Sequence, residues 1–342
     1  MQFFAVGRFL VTDRYTFVSY IGWFFIIGKG YSYLQGKVGE KFKTLRMAVV
    51  IVFAGYAVML FYLCNQRCRV WQNSLTLWTD VISKYPNASE GYLNRGQYNT
   101  ENDELDKALA DYNIVLAIKP NSTLAYINRG NVYGRKNQFD KALEDYSKAI
   151  SLSPGSSKIY LNRGNVYGIQ EKQDSAIADF TKAISLEYNY LDAYINRAIS
   201  YSKIRDFDNA FRDFNRALEI NPNAMNAYAM RAYAFLDHGS YDNAIADYDK
   251  LIKFNPLDGN YYFYRGLAFQ RKGDNNAAIR DYSMTLKINP SNSSAYLNRS
   301  ICYDTLGDSR RALEDALTAQ KTGQQINQGY IDRLQIKVKD GR

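Results

Sequence analysis

The chain has 342 residues, 30 of them tyrosine, and a formal charge of +9, which is length enough for more than one domain. The basic excess sits in residues 1–70, where Arg8, Arg14, Lys29, Lys37, Lys41, Lys43, Arg46, Arg67 and Arg69 meet only Asp13 and Glu40; the remainder is close to neutral. That distribution excludes an extended phosphate-binding surface, so no nucleic-acid partner is expected. Three cysteines give no disulfide framework, and one histidine, His238, cannot build a multi-His site, so no metal and no cofactor are expected.

Residues 1–66 read as a membrane segment. Tyr15–Ile27 (YTFVSYIGWFFII), continued to Leu34, gives a first expected span over about 15–34. Met47–Cys64 (MAVVIVFAGYAVMLFYLC) carries no charge and gives a second over 47–66, at the short end of what crosses a bilayer as a helix. Between them Lys29, Lys37, Lys41, Lys43 and Arg46 outweigh Glu40. Short basic loops stay cytoplasmic, so the domain that follows is expected outside the cytoplasm, in a periplasm or lumen. The start lacks the charge and small-residue cleavage pattern of a secretory signal peptide. Cys64, Cys68 and Cys302 are read as small apolar packing residues.

Beyond residue 88 the chain repeats itself. Arg95, Arg129, Arg163, Arg197, Arg231, Arg265 and Arg299 recur every 34 residues in contexts such as YLNRG and YINRG. Asp111, Asp145, Asp179, Asp213, Asp247, Asp281 and Asp315 follow, each 16 residues after its Arg. Counting from Ser89, position 4 is Tyr in all seven units, position 8 is Gly, Ala or Ser, and position 20 is Ala throughout. Position 11 is aromatic except at Asn99, position 24 except at Ala316, and position 32 is Pro in five units. Positions 4, 8 and 11 share one face of a first helix and 20, 24 and 27 one face of a second. Small residues at 8 and 20 permit close approach, and Pro at 32 ends the second helix.

This pattern closely resembles the tetratricopeptide repeat, and the resemblance implies an all-α fold: an α-solenoid of about seven helical hairpins, here preceded by one or two transmembrane helices. The expected organisation is a degenerate half repeat at 71–88, with Trp78, Val81 and Pro86 in frame, seven repeats over 89–322, and a C-terminal capping helix within 323–342.

The Arg and Asp combs, for example Arg129 with Asp145, Arg163 with Asp179 and Arg197 with Asp213, are read as structural ion pairs within or between repeats; a ladder for anionic ligands is the alternative. Opposite the packing stripe, position 6 is Asn94, Asn128, Asn162, Asn196 and Asn298, and position 9 adds Asn131 and Asn165. An amide offers donor and acceptor without charge. Such a row is either ordinary solvated surface or a groove that holds an extended peptide by its backbone, and it is similar to the asparagine ladder of O-linked N-acetylglucosamine transferase. Where position 6 becomes Met230 and Tyr264, with Tyr233 and Leu267 nearby, an apolar patch is expected. It would anchor a partner side chain or pack against the chain's own tail.

Val11–Phe25 (VTDRYTFVSYIGWFF), a basic loop, a span and VWQNSLTLWTDVISKYPN resemble the C-terminal end of multi-span membrane glycosyltransferases that carry tetratricopeptide repeats, the transmembrane-and-tetratricopeptide mannosyltransferase type. The family's acidic catalytic loop has no counterpart here, so no catalytic residue is assigned and no enzyme is expected. The expected function is a membrane-anchored scaffold that binds proteins or peptides. The alternative is a C-terminal part of such a glycosyltransferase whose repeats present protein acceptors.

Overall fold

The computed structural model describes residues 28, 29, 32, 43–70 and 72–341. Val11–Phe25 lies outside the described residues, as does the expected span 15–34 apart from 28, 29 and 32. Two units divide the chain, Met1–Asp80 and Val81–Arg342.

In the first unit α1 (Lys43–Val70) runs for 28 residues, about 42 Å at 1.5 Å per residue. Val50, Ile51, Val52 and Phe53 are all exposed, as are Phe61, Tyr62 and Leu63. Four successive residues sweep most of a helix's circumference, so α1 has no polar side along this stretch. Among the described residues no helix is long and apolar enough to cross a membrane. Within 47–66 the side chains at 49, 64 and 66 fall outside the described set, and neither expected span is among the structural findings. Helix α2 (Ser74–Lys84) starts at Asn73, whose carboxamide oxygen accepts from the Thr76 backbone N–H at 2.9 Å.

The second unit holds seven helix pairs. Their first helices are α3 (Ser89–Glu101), α5 (Thr123–Arg135), α7 (Ser157–Ile169), α9 (Leu191–Lys203), α11 (Met225–His238), α13 (Gly259–Lys272) and α15 (Ser293–Thr305). Their second helices are α4 (Leu105–Ile118), α6 (Phe139–Leu152), α8 (Gln173–Leu186), α10 (Phe207–Ile220), α12 (Tyr241–Phe254), α14 (Asn275–Ile288) and α16 (Ser309–Lys321). Helix α17 (Gln328–Lys339) follows. Among the described residues all regular structure is helical.

Each pair closes through the columns seen in the sequence. The seven Ala at position 20 are fully buried, and so are or nearly are the position 24 rings of Tyr112, Tyr146, Phe180, Phe214, Tyr248 and Tyr282. A Cβ built on Gly96, Gly130, Gly164 or Gly266 would lie 2.6–3.0 Å from the ring of its position 24 partner. In these four repeats the ring sits too close for a Cβ without a shift, whereas Ala198 and Ala232 fill position 8 opposite Phe214 and Tyr248. The turn inside each pair needs one left-handed residue. Position 15 supplies it at Asp103, Asn137, Glu171 and Arg205 with φ of 56–63°, and at Gly239, Gly273 and Gly307 with φ of 83–94°.

Pairs stack because each second helix also packs on the next first helix. First helices of neighbouring repeats approach one another, whereas no two second helices do so comparably. The stack therefore curves with the first helices on its inner face. Helices α11 and α13 depart from this, approaching less closely than the other first-helix neighbours.

The last pair shows how a missing ring is replaced. Ala316 occupies position 24 and Ser300 position 8. The Ser300 hydroxyl donates to the Ala312 carbonyl at 2.7 Å and lies 2.9 Å from the Tyr330 hydroxyl of α17. Tyr330 thus reaches toward the space that a position 24 ring fills elsewhere, while Leu334 packs on Ala312 and Ala316. Tyr330 and Arg333 continue the 34-residue combs, so α17 sits in frame as another first helix.

Candidate functional site

The two charge combs meet inside each hairpin. In all seven repeats the Arg Nε and Nη2 donate to the two oxygens of one Asp, at 2.6–3.0 Å and 2.7–2.8 Å respectively. This two-pronged contact is the strong form of a charge-assisted hydrogen bond. The Asp side chains are buried. The third donor, Nη1, reaches back one repeat: Arg129 to Asn113, Arg163 to Ser147, Arg197 to Thr181, Arg231 to Asn215, Arg265 to Asp249 and Arg299 to Ser283. Each guanidinium also lies 5.5–6.0 Å from its position 4 ring and, where present, its position 11 ring, within reach of cation–π attraction. Where position 11 is Asn99, its carboxamide donates to Asp111 instead, at 3.2 Å. The hydrogen bonds donated to the Asp raise the pKa of Arg95, Arg129 and Arg163 above the ordinary value. The fork edge of each guanidinium, Nε and Nη2, is thus occupied by its own Asp, and a bidentate anionic ligand could take that edge only by displacing the carboxylate.

The inner face is built from positions 6 and 9 of the first helices. Asn162 donates to the Asn131 carboxamide oxygen at 3.0 Å, and Asn196 to that of Asn165 at 2.8 Å. Asn131 is further held by the Tyr146 hydroxyl at 2.6 Å; burial pushes that hydroxyl's pKa well above the ordinary value, so it stays a neutral donor. Position 6 of one repeat thus bridges to position 9 of the repeat before, and all four amides remain half-exposed. Among the described residues the Asn162 and Asn196 carboxamide oxygens have no partner. Asn128 and Asn298 stand against the hydroxyls of Tyr112 and Tyr282 of the preceding repeat. Asn94 instead donates to the Glu90 carbonyl of its own helix at 2.7 Å.

The apolar residues come together one and two repeats further on. Tyr233 and Tyr264 meet edge to face with ring centres 6.2 Å apart, and Tyr248 stacks on Tyr264 at 6.1 Å. Met230 is 42% and Tyr233 59% exposed. Position 9 adds Ile199, Leu267 and Ile301, of which Ile301 is exposed. Ile199 and Ile301 escape a reading that follows the Asn row alone; the position 9 column would have shown them. His238 ends α11, its ring 5.0 Å from Phe207 and 5.6 Å from Phe211. Among the described residues no cluster of His, Cys, Asp and Glu could hold a metal ion.

Family models described as tetratricopeptide repeat match residues 123–156 and 191–224, 157–190, and 263–325, and one described as TPR repeat matches 232–273. None of the curated proteins is a significant match. Among solved structures, a tetratricopeptide repeat protein from Parabacteroides merdae ATCC 43184 is similar at 21% identity, with 73% of this chain and 98% of that one covered and a TM-score of 0.55. The Cut9–Hcn1 hetero-tetramer of the APC/C is similar at 18% identity and a TM-score of 0.54; the match covers 66% of this chain and 45% of that one. Both likenesses are likenesses of fold.

Proposed function

The chain belongs to the tetratricopeptide repeat family, and from that premise we propose that it is a membrane-anchored scaffold whose inner face binds proteins as extended peptides. The observation that carries the reading is the pair of amide bridges, Asn131–Asn162 and Asn165–Asn196. They fix four half-exposed amides along the inner face, pre-organised as binding groups should be. Their outward donors and acceptors match what a peptide main chain offers. Binding rather than catalysis is in keeping with the charged groups, since the Arg and Asp combs are spent on holding hairpins together.

Anchoring rests on α1. Its stretch Met47–Cys64 lacks charge, and apolar side chains exposed on all sides favour hydrocarbon over water. The basic residues upstream favour a cytoplasmic loop and a repeat domain outside the cytoplasm. The glycosyltransferase alternative rests on Val11–Phe25, which lies outside the described residues, and on the sequence of the junction at 70–87.

Photo-crosslinking in native membranes tests the binding reading. A benzophenone amino acid at Asn165 should give protein adducts, and one at exposed Lys148 on the second helix α6 should not. Adducts of equal yield from both positions would sink it. Membrane attachment is tested by alkaline carbonate: the full chain should stay in the pellet, and its release into the supernatant would refute an integral anchor.

A further inference from the structure

We propose that the inner face is bipartite, so that one neutral peptide lies with its main chain on the amides of repeats two to four and inserts an apolar side chain between Tyr233, Tyr264 and Met230. This rests on the peptide-binding reading above and adds the chemistry of the peptide.

The argument compares equivalent positions. Asn131 and Asn162 occupy position 9 of one repeat and position 6 of the next, and they are joined by a hydrogen bond of 3.0 Å. Three repeats further along, the same two positions are Tyr233 and Tyr264, and they are joined by an edge-to-face ring contact at 6.2 Å. Behind the first pair the Tyr146 hydroxyl donates to Asn131 at 2.6 Å. Behind the second, Tyr248 at the same position stacks flat on Tyr264, the planes 13° apart. A bridge of amides has become a cluster of rings. At that junction α11 and α13 approach less closely than the other first-helix neighbours. Tyr233 nevertheless stays 59% and Met230 42% exposed, large apolar side chains on a concave surface.

The occupant follows from complementarity. Positions 6 and 9 carry no charge in any of the seven repeats, and the ionised groups of the first helices stand a turn away, at Lys158 and Asp192 or Arg135 and Asp237, so a charged side chain set directly on positions 6 and 9 would lose water without an ion pair there. The amide half suits a main chain, which brings one donor and one acceptor per residue. The ring half suits Phe, Leu or Met, which gain from contact with aromatic edges and faces. A peptide long enough to touch both halves gains from each without a second association event.

The test uses the full chain in detergent as bait for random peptides displayed on phage. The wild type should enrich neutral peptides in which Phe, Leu or Met recurs at a fixed distance from an uncharged polar run. The double variant Tyr233→Asn/Tyr264→Asn copies the amide pair of the earlier repeats and leaves the Tyr248 hydroxyl behind it. It should keep the polar run and lose the apolar residue from its enriched pool. A selected peptide whose apolar residue is replaced by Ala should bind the wild type about tenfold more weakly, a reading that needs no protein variant. Binding unchanged by that replacement, or enrichment of charged peptides, would overturn the bipartite groove and leave peptide binding standing. Failure of the wild type to enrich any peptide would overturn both.

Discussion

Replacing Asp179 by Ala isolates one rung of the Arg–Asp comb. Arg163 donates to both carboxylate oxygens at 2.8 Å, and the two side chains are only 20% and 8% exposed. Without Asp179 the Nε and Nη2 hydrogens lose their acceptors while the guanidinium stays beside Tyr160 and Tyr167 and on Ser147 of the repeat before. Breaking one partner out of such a pair costs about 3–5 kcal/mol, or about two to three and a half powers of ten in a local opening constant. Repeats contact only their neighbours, so the loss should stay local. Hydrogen exchange read by mass spectrometry should accelerate by roughly 100-fold or more in α7 and α8 and leave α15 and α16 unchanged. Arg163→Met/Asp179→Leu should recover most of the protection, because an apolar pair is a fair substitute for a buried ion pair. Normal exchange in Asp179→Ala combined with lost peptide binding would refute the structural role and make the comb a ligand site.

Four further outcomes test other parts of the fold. Gly164→Ala places a Cβ 2.6 Å from the Phe180 ring; overpacking of about 1–3 kcal/mol should exceed the helix-propensity gain of roughly 0.5–1 kcal/mol, so the melting temperature should fall, and a rise would contradict the packing account. Glu171→Gly, at φ 60°, should stabilise by up to about 1 kcal/mol in denaturant titration, whereas Gly273→Ala, at φ 94°, should destabilise by a similar or larger amount; equal signs would be contrary. Cys302 is buried and its thiol is pushed up to about 12 by that burial, so iodoacetamide at mildly alkaline pH should modify exposed Cys68 and spare Cys302 until the last repeat opens; rapid native labelling of Cys302 would count against the packing of α15 on Tyr282 and Leu286 of α14. Asp308 caps α16, and hydrogen bonds from the Arg311 guanidinium and backbone N–H hold its carboxyl below the ordinary value. A depressed folded value means the cap's contribution is complete above the unfolded value and fades only as pH falls through the folded one. Exchange protection of α16 should therefore be flat from neutral to mildly acid pH; loss of this protection between pH 7 and 5 would contradict the sign.

Much of the architecture was legible in the sequence because a solenoid's contacts recur at fixed separations. A residue at position 8 meets position 24 of its own unit in every repeat, so the small column and the aromatic column declare their contact. Arg and Asp in lockstep, 16 residues apart, point to mutual neutralisation within or between repeats, and the structure sets each pair inside one hairpin. The 34-residue period thus determined the helix pairs and the order of stacking, each being a local requirement imposed seven times. Departures from a column carried information too: Ala316 with Ser300 marks the place to which Tyr330 reaches.

The tertiary structure decided what depends on the rotation between neighbouring repeats. That small angle sets which donor of each Arg reaches back to the preceding unit, that first helices crowd the inner face, and that Asn162 turns toward Asn131 rather than to solvent alone. It also brings Tyr233 and Tyr264, 31 residues apart, into ring contact. A column of residue types names the face on which each side chain stands. The distance between neighbouring faces arises only when the rigid hairpins settle against one another, because it sums packing over the whole interface and is fixed by no single position.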